Sequence, residues 1–285
     1  MDKISPAGIY GLLGYPVRHS FSPAMHNAAF KACAINAKYN LFETKPEELD
    51  YFLARLDQEN ILGLNVTIPY KEKILDFVRL DSASFYLRQI RAVNTIVNEN
   101  GVWKGFNTDI PGFSKHLREG FNPLGKKVAI LGAGGAARSV VYVLANSQAE
   151  EIAIFDIDKG KASNVTGMIK GLFPDLRIYV VDNIEGLGLK RKDLLVNTTP
   201  VGMKESDPCL LSPGMIHENL FVYDLIYNPP ETKLLRLARE NGCRISNGLG
   251  MLLYQGMLAF EIWAGQTAPK EVMQQALLKQ LQAEK

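Results

Sequence analysis

The chain has 285 residues, 47% of them hydrophobic and 22% charged, with a formal net charge of +2. That length suggests two domains, and the composition is that of a chain able to bury a large core. The near-neutral balance leaves no polyanion footprint, so nucleic acid is excluded as an expected partner. Three widely spaced cysteines, Cys33, Cys209 and Cys243, fit neither a disulfide framework nor a metal-ligand pair. The start, MDKISPAGIY, has no apolar signal region, and no window reaches the length of a membrane span. The expectation is a cytoplasmic protein without membrane association.

Strand-like and helix-like segments alternate along the chain, the pattern of an α/β protein with parallel sheets. IYGLLG (9–14) reads as a strand. In GYPVRHSFSPAMHN, Ser22-Pro23 reads as a helix start, with serine as N-cap and proline in the first turn. Ser20 adds a second hydroxyl to a helix N-terminus, which favours anions, and a small carboxylate would suit it. AKYNLFET is the next strand, followed by a helix near Pro46. ILGLNVTI is a buried strand, and PYKEKILDFV reads as a helix with proline in its first turn. AVNTIVNENGVWKGFNTD reads as a hairpin turning at Asn100-Gly101, and a helix opens near Asp109. Strands follow in KKVAIL, EIAIFDID, LRIYVV, DLLVNTTP and LFVYDLIYNPP. GLGMLLYQGMLAFEIWAG and PKEVMQQALLKQLQAEK close the chain as helices. The domains expected are 1–108, completed by helices of 246–285, and 109–245.

VAILGAGGAAR is the strongest single signal. Gly132, Ala133, Gly134, Gly135 and Ala136 follow a strand, open a helix and satisfy G-x-G-x-x-A. Such glycines permit a tight turn and close approach to a pyrophosphate. Asp156 lies 21 residues past Gly135, with Asp158 just beyond. A carboxylate there accepts ribose hydroxyls and repels a 2′-phosphate, so the expected cofactor is NAD in preference to NADP. Lys159 and Lys161 would offset that repulsion only by folding back.

Lys71 falls in the first turn of the helix read at 69–78, where the macrodipole disfavours a cation. Positive potential and partial burial would lower its pKa toward that of a general base; a solvated lysine compensated by Glu72 is the simpler account of the residue alone. Asp109 reads first as an N-cap ahead of Ile110-Pro111, and alternatively as a carboxylate partner of Lys71. Asn65, Thr67, Asn94, Asn107 and Thr108 add uncharged donors and acceptors at strand ends, suited to a polyhydroxylated ligand. The four histidines show no metal spacing, and no metal is expected.

HSFSPAMHN, NVTIPYK, AVNT, GFNTD, GAGGAAR, VNTTPVGM and NGLGMLLYQG stand in order along nearly the whole chain. In these motifs the sequence resembles the shikimate dehydrogenases, including the quinate/shikimate branch. The resemblance implies an N-terminal substrate domain, a Rossmann-type dinucleotide domain, C-terminal helices returning to the first domain, and an active site in the cleft between them. It implies that Ser20 and Ser22 hold the substrate carboxylate. Thr67, Asn94, Gln255 and Tyr227 would contact ring hydroxyls or carboxylate, with Asn65 nearby. Lys71 and Asp109 would be the catalytic pair, Gly132 to Ala136 would bind the pyrophosphate, and Leu225 and Gly248 would lie by the nicotinamide.

The implied activity is reversible hydride transfer at C3 of shikimate, with a small-molecule substrate and a possible homodimer. The alternatives are an NAD-dependent quinate/shikimate dehydrogenase of quinate catabolism and a non-catalytic metabolite sensor. Two positions depart from the family pattern. Asp156-Ile157-Asp158 replaces the Asn-Arg-Thr/Ser of NADP-dependent members. Arg91 stands where a glycine usually precedes AVNT, and is strained if that position needs positive φ.

Overall fold

A computed structural model describes residues 8–80 and 85–283. The chain divides into two compact units, one formed by residues through Gly112 with Leu252 onward, the other by Phe113–Met251.

The first unit carries a five-stranded sheet in the order β2-β1-β3-β4-β5. β1 (Gly8–Gly14), β2 (Ala37–Glu43) and β3 (Ile61–Val66) run parallel. β4 (Thr95–Glu99) and β5 (Val102–Phe106) are antiparallel to their neighbours, so the expected hairpin makes this sheet mixed. The hairpin turns where expected, with Asn100 at φ 53° and Gly101 at φ 83°, both central residues being left-handed as a two-residue type I′ loop requires. α1 (Ser22–Ala32) and α9 (Lys270–Ala283) pack together in this unit. The short helices α2 (Leu49–Leu53) and α3 (Phe85–Ile90) complete its connections. Leu13, Leu64, Val66, Tyr70, Ile74, Val93 and Ile96 form a core beneath the sheet.

Two local readings are corrected here. Ser22 is the first residue of α1 and does not cap it. The Ser22 N–H instead donates to Ser20 Oγ at 3.2 Å, so the upstream serine supplies the acceptor. Residues 69–78 do not form an α-helix; only the single 3-10 turn Lys73–Asp76 is present. The Lys71 carbonyl accepts from Val93 N–H at 2.9 Å, and Leu75 N–H bonds Glu72 O. A long-range backbone bond thus removes Lys71 O from the helical ladder, and the helix-dipole argument for Lys71 falls with the helix.

α4 (Asp109–Gly120) leads into the second unit, whose sheet is wholly parallel in the order β11-β10-β9-β6-β7-β8. These strands are β6 (Lys127–Leu131), β7 (Glu151–Phe155), β8 (Arg177–Val180), β9 (Leu194–Asn197), β10 (Phe221–Asp224) and β11 (Arg244–Ser246). The order reverses between β6 and β9, the doubly wound arrangement in which ligands bind beyond the carboxyl ends of the strands at the switch point. α5 (Gly135–Asn146), α6 (Lys159–Leu172) and α7 (Lys233–Glu240) make its connections, and α8 (Leu249–Ala264) follows β11. The central strands β6 and β9 are buried almost throughout, which explains their unbroken apolar runs. Among the described residues no helix is long and apolar enough to cross a membrane.

Candidate active site

In the first unit, Lys71 and Asp109 meet. Lys71 Nζ donates to Asp109 Oδ2 at 2.6 Å, and both side chains are about nine-tenths buried. An isolated charge at such depth would be costly, and each ion here offsets the other. Asp109 stands at the first position of α4, yet it is not the cap suggested by sequence. The Ile110 N–H donates to Asn107 Oδ1 at 3.0 Å, and Asn107 Nδ2 is anchored on Ala92 O at 2.8 Å. With Asn107 doing the capping, the Asp109 carboxylate is free to face Lys71.

The other oxygen of that carboxylate, Oδ1, accepts from Asn94 Nδ2 at 2.8 Å. Asn94 Oδ1 in turn accepts from Thr108 N–H at 2.7 Å, which fixes which way the amide points. Asn65 Nδ2 donates to Thr95 Oγ1 at 3.0 Å, and Tyr39 OH donates to Asn65 Oδ1 at 2.8 Å. Thr108 Oγ1 reaches Gln255 Oε1 at 3.4 Å. Lys71, Asp109, Asn94, Asn65 and Gln255 are therefore brought into one buried network, linked by Thr95 and Thr108. Sequence reasoning missed Tyr39 and Thr95, because a tyrosine and a threonine in strands read as ordinary sheet formers.

Ser20 Oγ and Ser22 Oγ lie 3.2 Å apart at the start of α1. Thr67 follows β3, its N–H on Leu13 O. Arg91 has φ 52°, so the usual glycine position does require left-handed backbone and arginine holds it under strain. Asn94 nevertheless reaches Asp109.

The second unit holds the glycine turn. Gly132 has φ +96°, and a Cβ there would stand 2.7 Å from Thr198 Oγ1, so both backbone and neighbours demand glycine. Gly134 is the N-cap of α5, makes no side-chain cap bond, and has open space where its Cβ would be. An uncapped helix start with an open glycine above it suits a pyrophosphate, so the residues present fit a dinucleotide. Gly135 and Ala136 begin α5. Gly248 lies so near Leu225 that a Cβ would come 1.9 Å from Leu225 O, and Gly248 N–H bonds Ile226 O at 3.1 Å. Tyr227 follows in the same loop, half-buried.

Asp156 also belongs to this turn. Its Oδ2 accepts Ala133 N–H at 2.6 Å and its Oδ1 accepts Asp158 N–H at 2.8 Å. Asp158 caps α6 by accepting Lys161 N–H. Lys159 and Lys161 pair with Asp182 and Asp158.

With these sites in view, the chain is of the class that joins a mixed α/β unit to a dinucleotide-type parallel sheet and sets a buried lysine–aspartate pair in the former. The shikimate dehydrogenase substrate-binding domain matches residues 12–96, and the shikimate 5'-dehydrogenase C-terminal domain matches 248–278. The shikimate dehydrogenase (NADP(+)) of Methanopyrus kandleri is 44% identical over 284 residues, covering 96% of each chain. The shikimate dehydrogenase (NADP(+)) of Moorella thermoacetica is 44% identical over 278 residues, covering 95% of this chain and 92% of its own. The crystal structure of shikimate 5-dehydrogenase from Thermus thermophilus, in complex with NADP(H) and shikimate, superposes with a TM-score of 0.83 at 33% identity, covering 96% of this chain and 100% of that one. The chain belongs to the shikimate dehydrogenase family.

These relatives overturn the expected preference for NAD over NADP, since both curated ones are NADP(+) enzymes. The geometry of Asp156 shows why the inference failed. Each of its carboxylate oxygens accepts a backbone N–H, one of them from the glycine turn itself. An acidic residue at this strand end therefore has a structural use independent of the ribose.

Proposed function

We propose that the chain catalyses reversible hydride transfer between NADP(H) and the C3 position of shikimate and 3-dehydroshikimate. The observation that carries this reading is the buried Lys71–Asp109 pair at 2.6 Å, in a chain of this family. A nicotinamide dinucleotide, when bound, accepts or supplies the hydride. In shikimate oxidation Lys71 Nζ, as the neutral amine left once its ammonium has given a proton to solvent, takes the proton of the C3 hydroxyl as hydride leaves the same carbon; in the reverse direction the ammonium returns that proton to the forming alcohol. Asp109 holds the lysine and orients the hydroxyl, while Asn94 keeps the carboxylate in place.

Ser20 and Ser22 receive the substrate carboxylate, their hydroxyls already paired at the start of α1. Thr67, Asn94, Gln255 and Tyr227 supply the contacts that sort ring hydroxyls, with Asn65 backing Asn94. Gly132, Ala133, Gly134, Gly135 and Ala136 hold the pyrophosphate, Asp156 and Asp158 shape the adenosine side, and Leu225 and Gly248 flank the nicotinamide. Such positioning turns an encounter of two reactants into one aligned event. The test is the absorbance of reduced nicotinamide when the purified protein is given shikimate and NADP+. Turnover is expected; a protein that binds both and converts neither would be a sensor and would contradict the reading.

A further inference from the structure

The mechanism leaves the deeply buried carboxylate of Asp224 unused. Asp224 ends β10 with no solvent exposure, and three donors converge on it. Asn197 Nδ2 reaches Oδ1 at 3.0 Å, Ile226 N–H reaches Oδ1 at 3.1 Å, and Thr232 Oγ1 donates to Oδ2 at 2.7 Å. Each donor belongs to a different piece of chain: the end of β9, the start of the loop after β10, and the cap of α7.

The network continues toward the glycine turn. Asn197 Oδ1 accepts both Thr199 N–H at 3.0 Å and Thr199 Oγ1 at 2.7 Å. Thr199 Oγ1 then accepts Val201 N–H at 3.2 Å. Thr198 Oγ1 donates to Leu131 O at 2.8 Å, and a Cβ on Gly132 would touch Thr198 and Thr199 at 2.7 and 2.9 Å. On the other side, Leu225 N–H bonds Asn197 O at 3.0 Å and Gly248 N–H bonds Ile226 O at 3.1 Å. One carboxylate thereby ties together the loops after β9 and β10 and, through Thr198 and Thr199, the loop after β6. These loops rim the carboxyl edge of the sheet beside its switch point, where ligands of such folds sit.

The geometry points to Asp224 as a positioning residue for cofactor binding: it fixes the loops at residues 197–202 and 225–232 in the shape that receives the nicotinamide end. This inference rests on the functional reading above. Burial pushes the Asp224 carboxyl up to about 6, while the bonds from Thr232, Ile226 and Asn197 favour its ionised form. An amide or apolar residue would fill the same space at lower electrostatic cost, and perturbed carboxylates gather at functional sites. Thr232 is bound into the same unit, since its hydroxyl donates to Asp224 while accepting Leu235 N–H to cap α7.

The test is direct titration of the full-length protein with NADPH, read by nicotinamide fluorescence, for wild type and Asp224→Asn. Asparagine keeps the size but presents one acceptor and two donors, so at least one of the three bonds is lost. Expected is a Kd for NADPH raised about 10-fold, a matching rise in KM for NADP+, and a KM for shikimate within about twofold of wild type. Should Asp224→Asn fail to fold, Thr232→Val is read in the same way, with Thr232→Ser, which keeps the hydroxyl, restoring affinity. A folded variant with unchanged Kd, or one whose shikimate KM rises in parallel, would overturn the inference and leave the functional reading standing. Wild type that binds no NADPH would overturn that reading and this inference with it.

Discussion

Two buried groups set opposing pH dependences. His26 has no solvent exposure, stacks on Tyr39 with ring centroids 4.4 Å apart, and among the described residues finds no hydrogen-bond partner for either ring nitrogen. Burial lowers its pKa to about 3. Below pH 6.5 the unfolded chain takes up a proton that the folded one refuses, so this contribution to stability is complete above 6.5 and is lost as pH falls toward 3. Asp224 acts in reverse, because burial raises its pKa to about 6. The folded state keeps its proton longer than the unfolded, and stability present below about 3.8 is lost as pH rises to about 6. Across about pH 4 to 6 the two nearly cancel. Denaturant titrations across that window should show His26→Phe losing stability with rising pH relative to wild type, by up to about 1.4 kcal/mol per pH unit. Asp224→Asn should show the opposite slope, and parallel curves for all three proteins would refute both assignments.

At the scale of elements, the segment joining α3 to β4 carries Arg91 at φ 52°, with its N–H on Leu87 O. Two residues later Val93 N–H bonds Lys71 O, so this strained turn directs the chain toward Lys71. A non-glycine residue held left-handed costs about 1–2 kcal/mol, and glycine returns about 0.4–1 kcal/mol of that as unfolded-state entropy. Arg91→Gly should therefore stabilise by about 0.5 kcal/mol, a rise in melting temperature on the order of 1–2 °C; a clear fall would contradict the strain. The start of α4 gives a second prediction. Asn107→Ala removes the acceptor for Ile110 N–H and the anchor on Ala92 O, and should cost about 1 kcal/mol in denaturant unfolding. No loss would contradict the capping role of Asn107.

Much of the molecule was legible in its sequence, for reasons that follow from burial. Strands sheathed on both faces must be apolar throughout, and the runs at β6, β7, β9 and β10 announced a parallel sheet. The glycine turn was legible because positive φ at Gly132 and crowding by Thr198 leave no other choice. The segment at 69–78 misled because its apolar spacing is helical, while the Lys71 carbonyl is claimed by Val93 from another segment. Asp156 misled for a related reason: its type and position were visible, but its bonds to Ala133 and Asp158 were not. The same limit hid Tyr39, Thr95 and the cluster around Asp224, whose meaning comes from partners distant in the chain.

The proposed function turns on Lys71 carrying the proton beside Asp109, and steady-state kinetics of Lys71→Ala with shikimate and NADP+ test it most directly. General acid–base groups supply about 10²–10⁴-fold in rate, so kcat should fall by that factor while the KM for shikimate stays within a few-fold of wild type. A KM that rises steeply with kcat preserved would reduce Lys71 to a binding residue and contradict the mechanism.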